Sequence, residues 1–320
     1  MRNPTTESPH PLTGETMPII LGHEFSGTVV EVHPSVTRCE VGSTVAVEGL
    51  LKDEKCYACS IRKRNVCGQS AFLGISANPG GLCESIVISA SLCHVLPAGV
   101  YLEAGALIEP LSVAWHAVTN SGIQAHHSAI VFGAGPIGLA VIICLMAKGI
   151  KHILALEPSK TRHQQAAMFG AVRTFDPITT DVAAAAEEAS YSILKYNVGP
   201  DLAFDASGVR ATITDGIKAI RKYGKYYNIA LWNKPAIVDM HELLYYGKTI
   251  QSDLSLSQGD FKSVIAAIHE GKITGKDLER MITSRIELEE LEEKGIMELI
   301  NNKEEHVKIL IRVDKTQPKP

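Results

Sequence analysis

Gly133-Ala-Gly135-Pro136-Ile137-Gly138 lies between an apolar run, Ala129–Phe132, and a long apolar stretch with helical composition, Ile137–Lys148. No other feature restricts the chain so much. Glycines at these three places permit a tight turn, let a backbone approach a pyrophosphate, and allow a helix to pack closely on a strand. By itself the pattern is weak; its place directly after a strand and at the mouth of a helix is the context it needs. The rhythm then continues. Ile153–Leu156, Leu202–Phe204 and Tyr226–Ala230 have the length of buried parallel strands, and Lys160–Phe169, Val182–Lys195 and Arg210–Lys222 read as helices between them. This alternation predicts an α/β fold of Rossmann type, a doubly wound parallel sheet. A helix opening at Pro136 presents free N–H groups and a positive dipole end to phosphates. The competing reading is a glycine turn in a similar sheet that binds nothing.

Glu157 closes the second strand of this unit. An acidic group there accepts hydrogen bonds from adenosine ribose hydroxyls and repels a 2′-phosphate, which favours NAD over NADP. Lys160 and Arg162 lie close by and pull the other way; Arg162 is counted with the cofactor-binding residues. Ser128–Ala147 carries no charge and has the hydropathy of a membrane span, but its glycines and proline fit a strand, a turn and a helix better.

Before this region the pattern changes. Short alternating runs, Gly27–Val32, Ser43–Val47 and Ser85–Ser89, sit between turn residues and predict a β-rich module. After Asp260, Phe261–His269 reads as a helix leading into a helix-plus-strand finish at His306–Val313. The acidic stretch Glu287–Glu293 reads as a solvated helix, and Lys315–Pro320 as disordered. The expected division is residues 1–117 with 258–320, and 118–257 as the dinucleotide unit.

With 320 residues and a formal charge of −4, the chain has room for two domains and no electrostatic footprint for nucleic acid. Seven cysteines and no secretory leader point to a cytoplasmic protein with reduced thiols. Three of the cysteines follow the spacing Asp53-x2-Cys56-x2-Cys59-x7-Cys67, which suits a closed tetrahedral zinc site with one oxygen ligand. A metal-free loop with free thiols is the alternative. Cys39, Cys83, Cys93 and Cys144 read as small buried residues. His23 and Glu24, in Gly22-His23-Glu24, and Glu109, in Glu109-Pro110-Leu111, are ordinary zinc-ligand types; taken alone, His23 equally reads as a satisfied structural histidine.

In this order, Gly22-His23-Glu24-Phe25-Ser26-Gly27, the Cys56/Cys59/Cys67 lobe, Gly80-Gly81-Leu82-Cys83-Glu84, Glu109–Val118 and Gly133–Gly138 resemble the zinc-dependent medium-chain alcohol and polyol dehydrogenases, nearest the butanediol and sorbitol dehydrogenase branch. The resemblance implies a GroES-like catalytic domain interrupted by a Rossmann domain. It implies interconversion of secondary alcohols or vicinal diols with ketones, using zinc and NAD. By matching position His23 would ligate zinc, Glu109 would be the carboxylate ligand, and Glu24 a ligand or its neighbour. Ser207 and Ala230 fall in segments that flank the nicotinamide half of the cofactor. Dimers or tetramers through the sheet edge near Asp239–Leu254 are implied, with no nucleic-acid or membrane partner.

Relatives of this kind begin earlier, with a cysteine that supplies a first catalytic ligand and part of a proton relay. The expectation is therefore either a shortened chain or a natural variant with an incomplete zinc site, with no nameable general acid. Exposed sheet edges and poor stability go with that expectation, and His33, standing where relatives have a small residue, predicts a strained turn. Two further readings stay open: a dinucleotide-binding relic without a competent catalytic metal, and a metal-independent reductase.

Overall fold

The computed structural model describes residues 8–194 and 198–313. They divide into two compact units, Met1–Ser112 with Ser255–Pro320, and Val113–Leu254.

In the first unit, β1 (Ser26–Thr28), β2 (Thr44–Val47) and β5 (Cys93–Val95) form an antiparallel sheet in the order β1-β2-β5. β3 (Leu50–Leu51) pairs antiparallel with β4 (Ala71–Phe72). Between them lies a lobe with a short α-helix, α1 (Tyr57–Ser60), and a 3-10 turn, Arg64–Val66. Val45, Val47, Ala71, Leu73, Ala77 and Cys93 fill the core of this module. The segment carrying His23 is held by close backbone approach. Gly22 has φ +97°, and a Cβ on Gly74 would stand 2.2 Å from the carbonyl oxygen of Gly22. A side chain has no room at Gly74 and would be strained at Gly22.

Helix α2 (Leu102–Ala106) leads into α3 (Ile108–Asn120), and the chain passes from one unit to the other within α3. The second unit holds a six-stranded parallel sheet: β6 (Ser128–Phe132), β7 (His152–Leu156), β8 (Arg173–Phe175), β9 (Leu202–Asp205), β10 (Lys225–Asn228) and β11 (Thr249–Ser252). Their order is β11-β10-β9-β6-β7-β8, so the chain runs outward from β6 to β8 and returns beside β6. That reversal places a crevice at the carboxyl ends of β6 and β9. All five residues of β6 are buried, as a strand covered on both faces requires. The crossovers are α4 (Pro136–Ala147), α5 (Lys160–Phe169), α6 (Val182–Leu194), α7 (Arg210–Ala219) and α8 (Met240–Tyr246). Pro136, with its φ fixed for the first turn, starts α4, and Leu139–Leu145 are buried on all sides of it. Gly170 at φ +119° ends α5. The described residues contain no helix long and apolar enough to cross a membrane.

The chain then re-enters the first unit with α9 (Gln258–His269) and α10 (Gly275–Met281), opened by capping boxes at Ser257/Asp260 and Thr274/Asp277. β12 (Ile282–Glu287) and β13 (Lys308–Arg312) pair in parallel, with α11 (Glu298–Asn301) before β13.

Several sequence expectations need correction. Ser85–Ser89 alternates in burial, with Val87 94% exposed, yet none of the described residues pairs with it as a strand. β1 covers only Ser26–Thr28 of the Gly27–Val32 run, and β10 ends at Asn228 rather than Ala230. The acidic stretch is a 3-10 turn, Leu288–Glu290, followed by a π-helical turn, Leu291–Met297. Gly295 in that turn packs closely enough on β12 that a Cβ would meet Ile286 at 3.2 Å. Cys39 and Cys83 are half-buried, while Cys93 and Cys144 are buried. His33 is not in the left-handed region; its ring accepts from Ser35 N–H at 3.2 Å, which satisfies the turn without strain. The end of the Val182–Lys195 helix beyond Leu194, and Lys315–Pro320, lie outside the described residues.

Candidate functional site

Within the first unit, ligand atoms of His23, Glu24 and Glu109 all lie within 4.8 Å of one another. His23 and Glu24 follow the clamped Gly22, and Glu109 sits in the first turn of α3. His23 Nε2 is 3.9 Å from Glu24 Oε1, and its ring meets Phe72 of β4 edge-on at 5.8 Å. Burial lowers the His23 pKa, against the opposing pull of Glu24, so the imidazole favours its neutral, ligating form. Glu109 is buried, and burial first and Glu24 second push its carboxyl up to about 8. Two carboxylates sharing one small space repel each other unless a cation or a proton lies between them, and the neutral imidazole beside them adds a nitrogen ligand. The set therefore fits a divalent metal of zinc type. Lys308 of β13, which the sequence reading did not single out, donates to Glu24 Oε2. One signal was available: a lone cation in the otherwise apolar run Val307–Ile311.

The second cluster comprises Asp53, Cys56, Cys59 and Cys67, again with ligand atoms within 4.8 Å of one another. Asp53 Oδ1 accepts from Lys55 N–H and Cys56 N–H at 2.9 and 3.0 Å, and these bonds hold its carboxyl well below the usual range. The Sγ atoms of Cys56 and Cys67 are 3.9 Å apart. A tetrahedral zinc with bonds of about 2.3 Å has ligand edges of roughly 3.8 Å, so the spacing fits that ion. The Cys59 thiol is pushed up to about 12 by burial, then by its neighbours. A bound metal reverses such a shift, since a coordinating thiol is deprotonated.

In the second unit the glycine turn follows β6. Gly133 has φ +89°, and a Cβ on Gly138 would lie 1.8 Å from the Gly133 carbonyl oxygen. In front of Gly135 the nearest atom to such a Cβ is Arg162 Nη1 at 4.0 Å, which leaves room for a phosphate. Glu157, at the end of β7, accepts from Ala134 N–H at 2.9 Å and Ser159 N–H at 3.2 Å. Each carboxylate oxygen has lone pairs to spare for a ribose hydroxyl. Arg162 Nη1 stands 4.0 Å from Glu157 Oε2. Ser207 lies against the glycine turn, 3.2 Å from where a Gly133 Cβ would sit, and Ala230 lies the same distance from a Gly208 Cβ. The structure thus brings Gly133, Gly135, Gly138, Glu157, Arg162, Ser207 and Ala230 to the carboxyl ends of β6, β7, β9 and β10, with Pro136 and Ile137 opening α4. That arrangement fits a dinucleotide.

Residues 5–98 match the alcohol dehydrogenase GroES-like domain, and residues 136–270 match the zinc-binding dehydrogenase family. An (R,R)-butanediol dehydrogenase of Saccharomyces cerevisiae is 33% identical over 94% of this chain and 82% of its own length. The chain belongs to the zinc-binding alcohol dehydrogenase family. A probable (R)-acetoin-forming diacetyl reductase of the same yeast is 35% identical over 94% of this chain and 76% of its own. Among solved structures, the 2R,3R-butanediol dehydrogenase of Bacillus subtilis superposes with a TM-score of 0.88 and 34% identity, covering 98% of this chain and 86% of that one. This dehydrogenase accordingly has the GroES-like and Rossmann architecture of its relatives.

Proposed function

We propose that this dehydrogenase interconverts a vicinal diol or other secondary alcohol with its ketone, of the butanediol/acetoin class, using NAD as hydride acceptor. The observation that carries the reading is the meeting of His23, Glu24 and Glu109 within 4.8 Å in a chain that also builds a dinucleotide crevice. A zinc ion at these three residues would supply Lewis acidity, lowering the pKa of a bound alcohol and polarising a carbonyl. His23 offers a neutral nitrogen. Glu109 brings a buried negative charge whose desolvation favours a cation. Glu24 is shared between this cluster and Lys308, which tempers the charge the two carboxylates present. On the cofactor side, the turn at Gly133–Gly138 with Pro136 and Ile137 would hold the pyrophosphate. Glu157 would accept from the adenosine ribose with Arg162 beside it, and Ser207 and Ala230 would flank the nicotinamide half.

The reading extends to residues 1–117 with 258–320 as the catalytic domain and 118–257 as the cofactor domain. Asp53, Cys56, Cys59 and Cys67 would hold a second, structural zinc, and reduced thiols at that lobe suit the cytoplasm. A homodimer or homotetramer through the edge strand β11 is supported by exposed Ile237, Met240, Leu244 and Tyr245 next to it; a monomeric mass in solution would sink that part.

The test is NADH formation with butanediol and sorbitol as alternative substrates. Turnover lost on chelation and restored by zinc is the expected result. Soluble protein that binds NADH and zinc at His23, Glu24 and Glu109 but turns over no secondary alcohol would overturn the reading.

A further inference from the structure

The turn after β9 differs chemically from the glycine turn after β6, although both face the same crevice. Its backbone N–H groups are all taken up internally. Ala206 N–H donates to the Phe132 carbonyl at 2.9 Å. Ser207 N–H and Gly208 N–H both donate to Asp205 Oδ1, at 2.8 and 3.2 Å. Val209 N–H reaches Ser207 Oγ at 3.4 Å. Asp205 itself is completely buried at the last position of β9. Its Oδ1 also accepts the Ser207 hydroxyl at 2.7 Å, while Oδ2 accepts the Tyr226 hydroxyl at 2.5 Å and lies 3.1 Å from Thr212 Oγ1.

One buried carboxylate therefore gathers donors from β10, α7 and its own turn. Burying a charge is tolerated only when it is well hydrogen-bonded, and here the bonds are supplied by the turn it organises. The consequence for a ligand is one of polarity. Residues 206–209 have no uncommitted backbone N–H to offer a phosphate. In the glycine turn Gly133 N–H and Ala134 N–H are likewise taken, by the Leu156 carbonyl and by Glu157, so donors for a phosphate come from the start of α4. What the Ser207 turn can present is acceptors, which suit hydroxyl and amide donors.

We propose that Asp205 is a positioning residue of the cofactor crevice: it fixes the Ser207–Gly208 turn between Gly133 and Ala230 and leaves that turn acceptor-only toward the ribose–nicotinamide half. This rests on the dinucleotide reading above. Asp205 is fully buried and acts through the turn.

The test compares two probes on the intact chain, NADH by fluorescence titration and AMP by calorimetry. AMP reports only the adenosine half, beside Glu157. In Asp205→Asn an amide nitrogen replaces one acceptor and opposes the donors gathered around it. NADH should bind about tenfold more weakly, the scale for stranding one buried donor, with AMP affinity within about twofold of the parent. KM for NAD should rise while kcat at saturating NAD and the zinc content hold. Tyr226→Phe removes one donor without stranding the carboxylate and should give the same selective loss at about threefold. Should Asp205→Asn not fold, Tyr226→Phe and Thr212→Val carry the test. Unchanged NADH binding, or equal loss of NADH and AMP, overturns the proposal. A parent protein that binds neither probe overturns the dinucleotide reading and the proposal with it.

Discussion

The two metal-type clusters of the first unit are assembled in opposite ways. The lobe draws all its donors from Asp53 to Cys67, and Asp53 is set by N–H groups two and three residues on. Its geometry is local, set by neighbours in sequence. The other cluster draws His23 and Glu24 from one end of the sequence and Glu109 from the start of α3, with Lys308 reaching Glu24 from 284 residues away. It exists only as a product of the tertiary fold, and it holds charge that is uncomfortable without an ion. A structural site can rest on its own loop. A site that must keep a position open for substrate is instead held by what surrounds it.

The contrast is sharpened most by Glu109→Ala. Turnover with butanediol should fall at least ~100-fold, with one zinc lost per chain and the lobe zinc kept, as read by elemental analysis and steady-state kinetics. Equal loss of both ions would break the distinction. Asp53→Ala should do the reverse: lobe zinc affinity falls ~10–100-fold in a chelator competition, while NADH production tracks the remaining ion. Lys308→Met comes next, with about a tenfold fall in kcat/KM and little change in AMP binding. Smallest is a pH effect on the metal-free protein. The fold raises the Glu109 carboxyl to about 8 from an ordinary 4.5. Between those values the folded state binds more protons than the unfolded chain, so stability falls as pH rises through the window. Differential scanning calorimetry should show a melting point lower by a few degrees at pH 8 than at pH 5, and zinc should abolish that slope.

The local cluster was also the legible one. Asp53, Cys56, Cys59 and Cys67 stand out by spacing, and the glycine turn by its place between an apolar run and an apolar helix. Both depend on neighbours in sequence. His23, Glu24 and Glu109 are common residue types, and only their resemblance to family motifs brought them forward together. Lys308 and Asp205 were not read at all: Glu24 lies 284 residues from Lys308, and Tyr226 and Thr212 reach Asp205 from a later strand and helix. Asp205 had left one trace: an acidic residue closing an apolar run before Ala-Ser-Gly, where a short carboxylate can accept from the backbone two residues on. Ser85–Ser89 was misread for the complementary reason. Its alternation is present in the burial of its side chains, but a strand needs a partner and a single run cannot report whether it has one.

The bond from Lys308 to Glu24 also bears on the order of events during synthesis. All six strands of the parallel sheet have been made once Ser252 has emerged, and they need nothing later to pair with. The unit that holds His23 must wait for α9, α10 and β13 to return to it. Nascent chains leave the ribosome from the N-terminal end at about 5–20 residues per second, so the cofactor unit has several seconds to settle first. Glu24 meets its lysine only after Lys308 has been made, and a nascent chain can thus have a finished nucleotide fold while the surroundings of His23 and Glu24 are still incomplete.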